Sequence, residues 1–157
     1  MTIDDLQPDD WPAAAAIYHE GLEIGTFEET VPSWDDWNAR YLPAPRLVAR
    51  GPDGILGWAA LALVSRRDCY RGVVENSIYV AADARGRGVG RALLSELCLR
   101  ADAAGIWTIQ AGILAGNDAS VALHTACGFR IVGVRERLAR KRGSWRDAIL
   151  MERRALD

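Results

Sequence analysis

Residues 85–91 read Arg-Gly-Arg-Gly-Val-Gly-Arg, and few folds have a use for such a segment. Val73 to Val80, just before it, reads as a strand. After it, Leu93, Leu94, Leu97, Cys98 and Ala101 recur at helical spacing, up to a stop at Gly105. The glycines therefore sit where a strand passes the chain directly to a helix. They let the backbone turn sharply and come close to a ligand. Amide N–H groups of the first helical turn, together with the helix dipole, make an anion site. Arg85, Arg87 and Arg91 add positive charge around it. Taken alone, Gly-x-Gly-x-Gly is also compatible with a plain tight turn. A dinucleotide site needs G-x-G-x-x-G in an early strand–helix–strand unit, with an acid about 20 residues on. A Walker A loop needs Gly-Lys-Ser/Thr, which is absent.

The flanking segments predict the order β-α-α-β-β-β-α-β-α-β-β. A helix over 11–24 starts near Pro12, and Ser33 caps a second short one. Leu47–Ala49 and Ile55–Val64 flank the turn Gly51-Pro52-Asp53-Gly54. Ile106 to Ile113 is a strand, and Asn117 caps a helix that Gly128 ends. Phe129 to Val134 and Trp145 to Met151 then pair around Lys141-Arg142-Gly143. Hairpins combined with two strand–helix–strand crossovers predict an α/β (α+β) fold. Its mixed, mostly antiparallel sheet would have about six to seven strands, flanked by about four helices.

With 157 residues, half of them hydrophobic and a quarter charged, the chain fits one domain spanning 1–157. A net charge of −2 gives no reason to expect a nucleic-acid or membrane partner. The charge is uneven, however. Residues 1–40 hold ten acids and one base, whereas residues 130–157 hold nine bases and four acids. That pattern fits two solvated faces that attract each other in the fold, or a basic surface near an anionic ligand. Cys69, Cys98 and Cys127 are odd in number and lack zinc or redox spacing, so a reduced, cytoplasmic protein without a metal is expected. The start, Met1-Thr2-Ile3-Asp4-Asp5, is acidic and unlike a signal peptide. The longest apolar run, Gly54 to Val64, is eleven residues, well under the roughly 20 that span a bilayer.

Two motifs in their expected places make the chain resemble the GNAT superfamily of N-acetyltransferases. Arg85-Gly86-Arg87-Gly88-Val89-Gly90 matches that family's [R/Q]-x-x-G-x-[G/A] pyrophosphate loop at every fixed position. Asn117 to Phe129 is similar to its Asn-opened helix ending at Gly and an aromatic residue, with His124 where the wider family usually has Tyr. Glu75-Asn76-Ser77-Ile78-Tyr79-Val80, Gly25-Thr26-Phe27-Glu28, Trp34-Asp35-Asp36-Trp37 and Lys141-Arg142-Gly143-Ser144-Trp145-Arg146-Asp147 look like one subgroup. These are the phosphinothricin and methionine sulfoximine N-acetyltransferases, with relatives acting on arsinothricin. The resemblance covers essentially the whole chain. It implies acetyl-CoA as cosubstrate, direct transfer in a ternary complex to the α-amine of a small glutamate-like amino acid, and pairing of chains as homodimers.

Such a transfer needs a neutral amine, a polarised carbonyl and a stabilised thiolate, and a base helps because α-ammonium groups are mostly protonated at neutral pH. Glu75 is the candidate base: a carboxylate in a strand of Val, Ser, Ile and Tyr is costly to bury without a task or a partner. A regular pleat puts Glu75, Ser77 and Tyr79 on one face. His124 shares a helix stripe with Asn117 and Ser120 and is a candidate acid, base or positioner. The resemblance assigns the pantetheine arm to Asn117, Ser120 and the backbone of Ile78, Tyr79 and Val80, and the pyrophosphate to Arg85 through Arg91. Arg66 to Arg71 precedes the Glu75 strand, and a guanidinium suits a carboxylate or phosphinate. Arg67, Asp68, Cys69 and Tyr70 are candidate substrate residues, Arg67 and Tyr70 being those that align best with the resembled subgroup, with Phe27 and Trp145 as candidate pocket walls or core. Rival readings are an acetyltransferase of protein N-termini or lysines, and a non-catalytic CoA- or RNA-binding module. A Glu75 facing bulk solvent would favour the non-catalytic module.

Overall fold

Helix α1 (Trp11–Gly21) begins with Pro12 in its first turn and continues through an Ala-rich run. The Ser33 hydroxyl caps α2 (Trp34–Arg40) by accepting the Asp36 amide at 3.2 Å. Helix α3 (Val89–Ala103) buries Val89, Leu93, Leu94, Leu97, Cys98 and Ala101, and α4 (Asp118–Ala126) is capped by Asn117. Seven strands form one sheet: β1 (Thr2–Asp5), β2 (Arg46–Gly51), β3 (Gly54–Leu63), β4 (Val73–Val80), β5 (Thr108–Leu114), β6 (Arg130–Lys141) and β7 (Ser144–Arg154). This is a computed structural model describing residues 1–156. No helix among them is long and apolar enough to cross a membrane.

The sheet order is β1-β2-β3-β4-β5-β7-β6, antiparallel throughout except for β4 with β5. The predicted element order and mixed sheet are those observed. One crossover, through α3, joins adjacent parallel strands. The other, through α4, joins β5 to β6, and β7 inserts between them. The last two strands run well past the expected 129–134 and 145–151. Their pattern is hidden because β6 lies at the sheet edge, mostly exposed, and carries register shifts at Ile131/Gly133 and Arg135/Ala139. They meet at Arg142-Gly143, both at positive φ (51° and 79°), as a two-residue hairpin requires.

Helices cover the sheet on both faces. On one, Tyr18 of α1 and Trp37 of α2 pack on Trp58, which also stacks on Tyr79 at 4.9 Å. On the other, α3 lies across β2, β3 and β4. The feature that positions the site is a split at the centre of the sheet. β4 and β5 pair only at Val73↔Thr108, Val74↔Ile109 and Glu75↔Gln110, and beyond Glu75 they diverge. The β4 ladder to β3 runs without a shift from Val74 to Val80, and Ala81 donates to the Leu56 carbonyl at 2.8 Å. Backbone groups alternate along such a strand, so the odd positions bond β3. Asn76, Ile78 and Val80 turn their amides into the gap.

Candidate active site

The gap opens into a cavity of about 800 Å³ that reaches both faces of β4. On the α3/α4 face its wall is the glycine-rich loop. Gly86 and Gly88 have φ of 74° and 81°, a region costing a residue with a Cβ about 1–2 kcal/mol. Gly88 is the N-cap of α3 and supplies no side chain, so the amides of Val89, Gly90 and Arg91 face outward without intrahelical partners. Arg85, Gly86, Gly88, Val89, Gly90 and Arg91 line the cavity, while Arg87 lies exposed outside it. The expected backbone trio divides: Ile78 and Val80 face the gap, and Tyr79 bonds toward β3. The anion site and the open strand edge together fit a nucleotide-type phosphate with an extended amide-bearing arm, as in coenzyme A.

Asn117, Ser120 and His124 share the expected face of α4, and all three line the cavity. Asn117 Oδ1 accepts the Ser120 amide at 3.2 Å, and its Nδ2 donates to the Gly25 carbonyl at 3.4 Å. His124 is buried, and both its ring nitrogens are engaged. Nδ1 donates to the Ser120 carbonyl at 2.7 Å, and Nε2 accepts from Asn76 Nδ2 at 3.0 Å. Burial holds its pKa below the ordinary value, against the pull of the Ser120 carbonyl. The ring is thus a neutral brace between α4 and β4, edge-on to Phe129.

Glu75 lies on the opposite face of β4, where the strands part. Its half-buried carboxylate has a raised pKa, because burial outweighs the lowering influence of the neighbouring Gln110 side chain and of the Arg135 charge. A Cβ on Gly112 would stand 3.2 Å from Glu75 Oε1, so the glycine makes room for the carboxylate. Above it, Tyr41 donates to Ser77 Oγ at 2.9 Å, and Thr26 Oγ1 shares a hydrogen bond with the Tyr79 hydroxyl at 2.7 Å. Thr26 belongs to a strap after α1 whose Gly25, Thr26, Phe27 and Glu28 line the cavity. Lys141, buried at 6% exposure, holds the strap by donating to the carbonyls of Leu22 (2.8 Å) and Thr26 (2.5 Å).

The GNAT family model matches residues 4–129 of the chain, which is "Acetyltransferase (GNAT) family" in its description. The chain belongs to the GNAT acetyltransferase family. It is an N-acetyltransferase by that membership and by its relatives. A phosphinothricin N-acetyltransferase of Alcaligenes faecalis is 38% identical over 160 residues, 97% of this chain and 81% of that protein. An L-methionine sulfoximine/L-methionine sulfone acetyltransferase of Pseudomonas aeruginosa is 36% identical, covering 96% of this chain and 92% of that protein. The crystal structure of a phosphinothricin acetyltransferase from Sinorhizobium meliloti, in complex with AcCoA, superposes with a TM-score of 0.88. It is 36% identical and covers 98% of this chain and 88% of that one.

Not every candidate residue of this GNAT chain reaches the cavity. Phe27 does, but Arg67, Asp68, Cys69 and Tyr70 form an exposed turn before β4 and lie outside its lining. Trp145 is 51% exposed at the β6–β7 tip, beneath the Arg137 and Arg140 guanidinium groups. The tip meets the acidic N-terminal region within the same chain: Arg142 pairs with Glu23, and its amide is held by Glu29. The mutually attracting faces of the sequence analysis are therefore found in cis. Sequence reasoning missed Asn76, Gln110, Gly112, Tyr41 and the burial of Lys141. For Asn76 the signal was its place beside Glu75 on the opposite face of one strand.

Proposed function

We propose that this GNAT enzyme transfers the acetyl group of acetyl-CoA directly to the α-amine of a small glutamate-like amino acid, of the phosphinothricin and methionine sulfoximine type. The observation that carries the reading is the split between β4 and β5. It joins an anion-binding glycine loop on one face to a half-buried carboxylate beside the strap on the other. In this reading the amides of Val89 to Arg91 hold the pyrophosphate. Ile78 and Val80 pair with the pantetheine arm as an added strand would, and a gap-facing amide polarises the thioester carbonyl. Asn117 and Ser120 line the arm's path.

Glu75 receives the proton of the acceptor's ammonium, directly or through water, and so frees the amine for attack. Its raised pKa brings it nearer the pH at which a base works well. His124, with both nitrogens engaged, positions Asn76 and α4. The strap, including Phe27, walls the acceptor end, which favours an amino acid over a protein tail. Glu75 lining the cavity argues for catalysis over a bare binding module.

Acetyl-CoA turnover assayed against phosphinothricin, methionine sulfoximine and the common amino acids tests the reading. Turnover with either of the first two supports it, and activity confined to peptides or proteins removes it. The exposed apolar residues of edge strand β6, among them Ile131 and Val134, support a homodimer. In a dimer, Arg67, Tyr70 and Trp145 could approach the partner's cavity. Light scattering at micromolar concentration decides the first point. Trp145→Ala with unchanged acceptor KM and unchanged association removes the second.

A further inference from the structure

Three cations line the cavity. Arg85 and Arg91 belong to the loop at the head of α3, and Arg135 alone comes from the β5–β7–β6 wall. Register places it there. Leu114 pairs with Ala148 and Ala148 with Arg135, and Ala148, Leu150, Gly112 and Gln110 of the same wall also line the cavity. The position is braced, because Arg135 is the last paired residue before the β6 bulge. The bulge is closed by Arg137, at φ 52°, whose amide donates to Asp147 Oδ1 at 2.8 Å. Arg135 makes no ion pair among the described residues, where ten others are formed. Its charge nonetheless acts on Glu75. A base and a guanidinium thus line the same cavity with no ion pair between them.

Resting on the function proposed above, we propose that Arg135 is a specificity-determining residue that receives an oxyanion of the acceptor, carboxylate or phosphinate, while Glu75 receives its amine proton. An amino acid carries an amine and an acid at short, fixed separation, which suits two opposite charges that line one cavity without pairing. A guanidinium binds either oxyanion through two parallel N–H donors. The preferred acceptors are then zwitterionic amino acids, and amines without an acid are poor ones.

Steady-state kinetics on Arg135→Gln and Arg135→Lys tests this with three acceptors: phosphinothricin, methionine sulfone and methionine sulfone amide. Loss of one charge-assisted contact corresponds to about a 10- to 100-fold rise in acceptor KM. In Arg135→Gln we expect that rise with kcat changed much less, and partial recovery in Arg135→Lys. A rise for phosphinothricin alone places the contact at the acidic tail. An equal rise for phosphinothricin and methionine sulfone, with none for the amide, places it at the α-carboxylate. Unchanged KM for both acids, or a fall in kcat alone, overturns the assignment and leaves the proposed function standing. A wild-type enzyme that acetylates none of the acceptors overturns both.

Discussion

The two sides of the cleft are built in opposite ways. In the proposed function, the cofactor side comes largely from one continuous stretch, Val80 to Arg91, whose geometry is local: a strand end, two left-handed glycines and an uncapped helix. The acceptor side of that reading is assembled from pieces far apart in the chain: the strap at 24–28, Tyr41, Glu75 on β4, Gln110 and Gly112 on β5, Arg135 on β6 and Lys141 at its end. Binding of a common cosubstrate is therefore written into a motif. Choice of acceptor is written into contacts that any of several strands can alter. One domain can in this way keep its donor and change its acceptor.

The sharpest test of that division is Glu75→Gln. Losing a general base costs about 10²- to 10⁴-fold in turnover, and acetyl-CoA affinity should stay near wild type because the residue lies on the acceptor side. The wild-type acid limb of kcat/KM should lie above the 4.5 of an ordinary glutamate, since burial raises this one. A carboxylate whose folded pKa is raised stabilises the fold below its unfolded pKa, and that contribution is lost as pH rises through the folded value. The variant should consequently be at least as stable as wild type at neutral pH, as thermal melts would register. Near-normal turnover with an unchanged pH profile would remove Glu75 as the base.

Gly88→Glu attacks the other side. It places a carboxylate on the anion site and a Cβ at a φ of 81°, which by itself costs about 1–2 kcal/mol. Acetyl-CoA affinity should fall roughly 100-fold, the scale of one lost charged contact with added repulsion. Calorimetric titration of the folded variant measures it. Affinity equal to wild type would dissolve the division between the two sides.

The same division explains what could be read from the sequence. The phosphate loop, the helix stripes and the element order were legible because neighbours in the chain determine them. Glu75 was legible because an acid in an apolar strand is costly wherever the strand goes. The split was not, since it depends on where β4 and β5 stop pairing, and no residue type marks that point. The 66–71 arginines drew attention as a cluster but form an exposed turn, while Arg135, one of many charges on an irregular edge strand, reaches the cavity. Lys141, read in the sequence only as part of the turn between the last two strands, is buried. Its burial follows from the strap folding over it, a contact spanning more than a hundred residues.

Lys141→Met is expected to have a smaller effect, concentrated on the acceptor. It leaves the Leu22 and Thr26 carbonyls without their donor, at about 1–3 kcal/mol, so the strap should open more often. Acceptor KM should rise about tenfold, with the KM for acetyl-CoA held. A parallel rise in both would mean that the strap serves the whole cleft.

The least effect on chemistry is expected at His124, the residue on the cofactor side that composition alone makes most conspicuous. Both ring nitrogens are occupied, by the Ser120 carbonyl and the Asn76 amide, so no proton passes through the ring without breaking the brace. His124→Gln should lower turnover less than tenfold, against the 10²- to 10⁴-fold loss of an acid or base, and leave the acid limb of the pH profile in place. Its main effect should be on stability, about 1–3 kcal/mol if Asn76 loses its partner. The pH dependence of melting carries the sign. Burial depresses the pKa of His124 below 6.5, so its contribution is present above that value and is lost as pH falls through the folded one. Wild type should lose stability from this group as pH falls below 6.5, and His124→Gln should flatten that slope. If instead the variant melts like wild type at every pH and loses turnover by more than 10²-fold, the ring is a proton carrier. The cofactor side then shares the chemistry assigned here to Glu75.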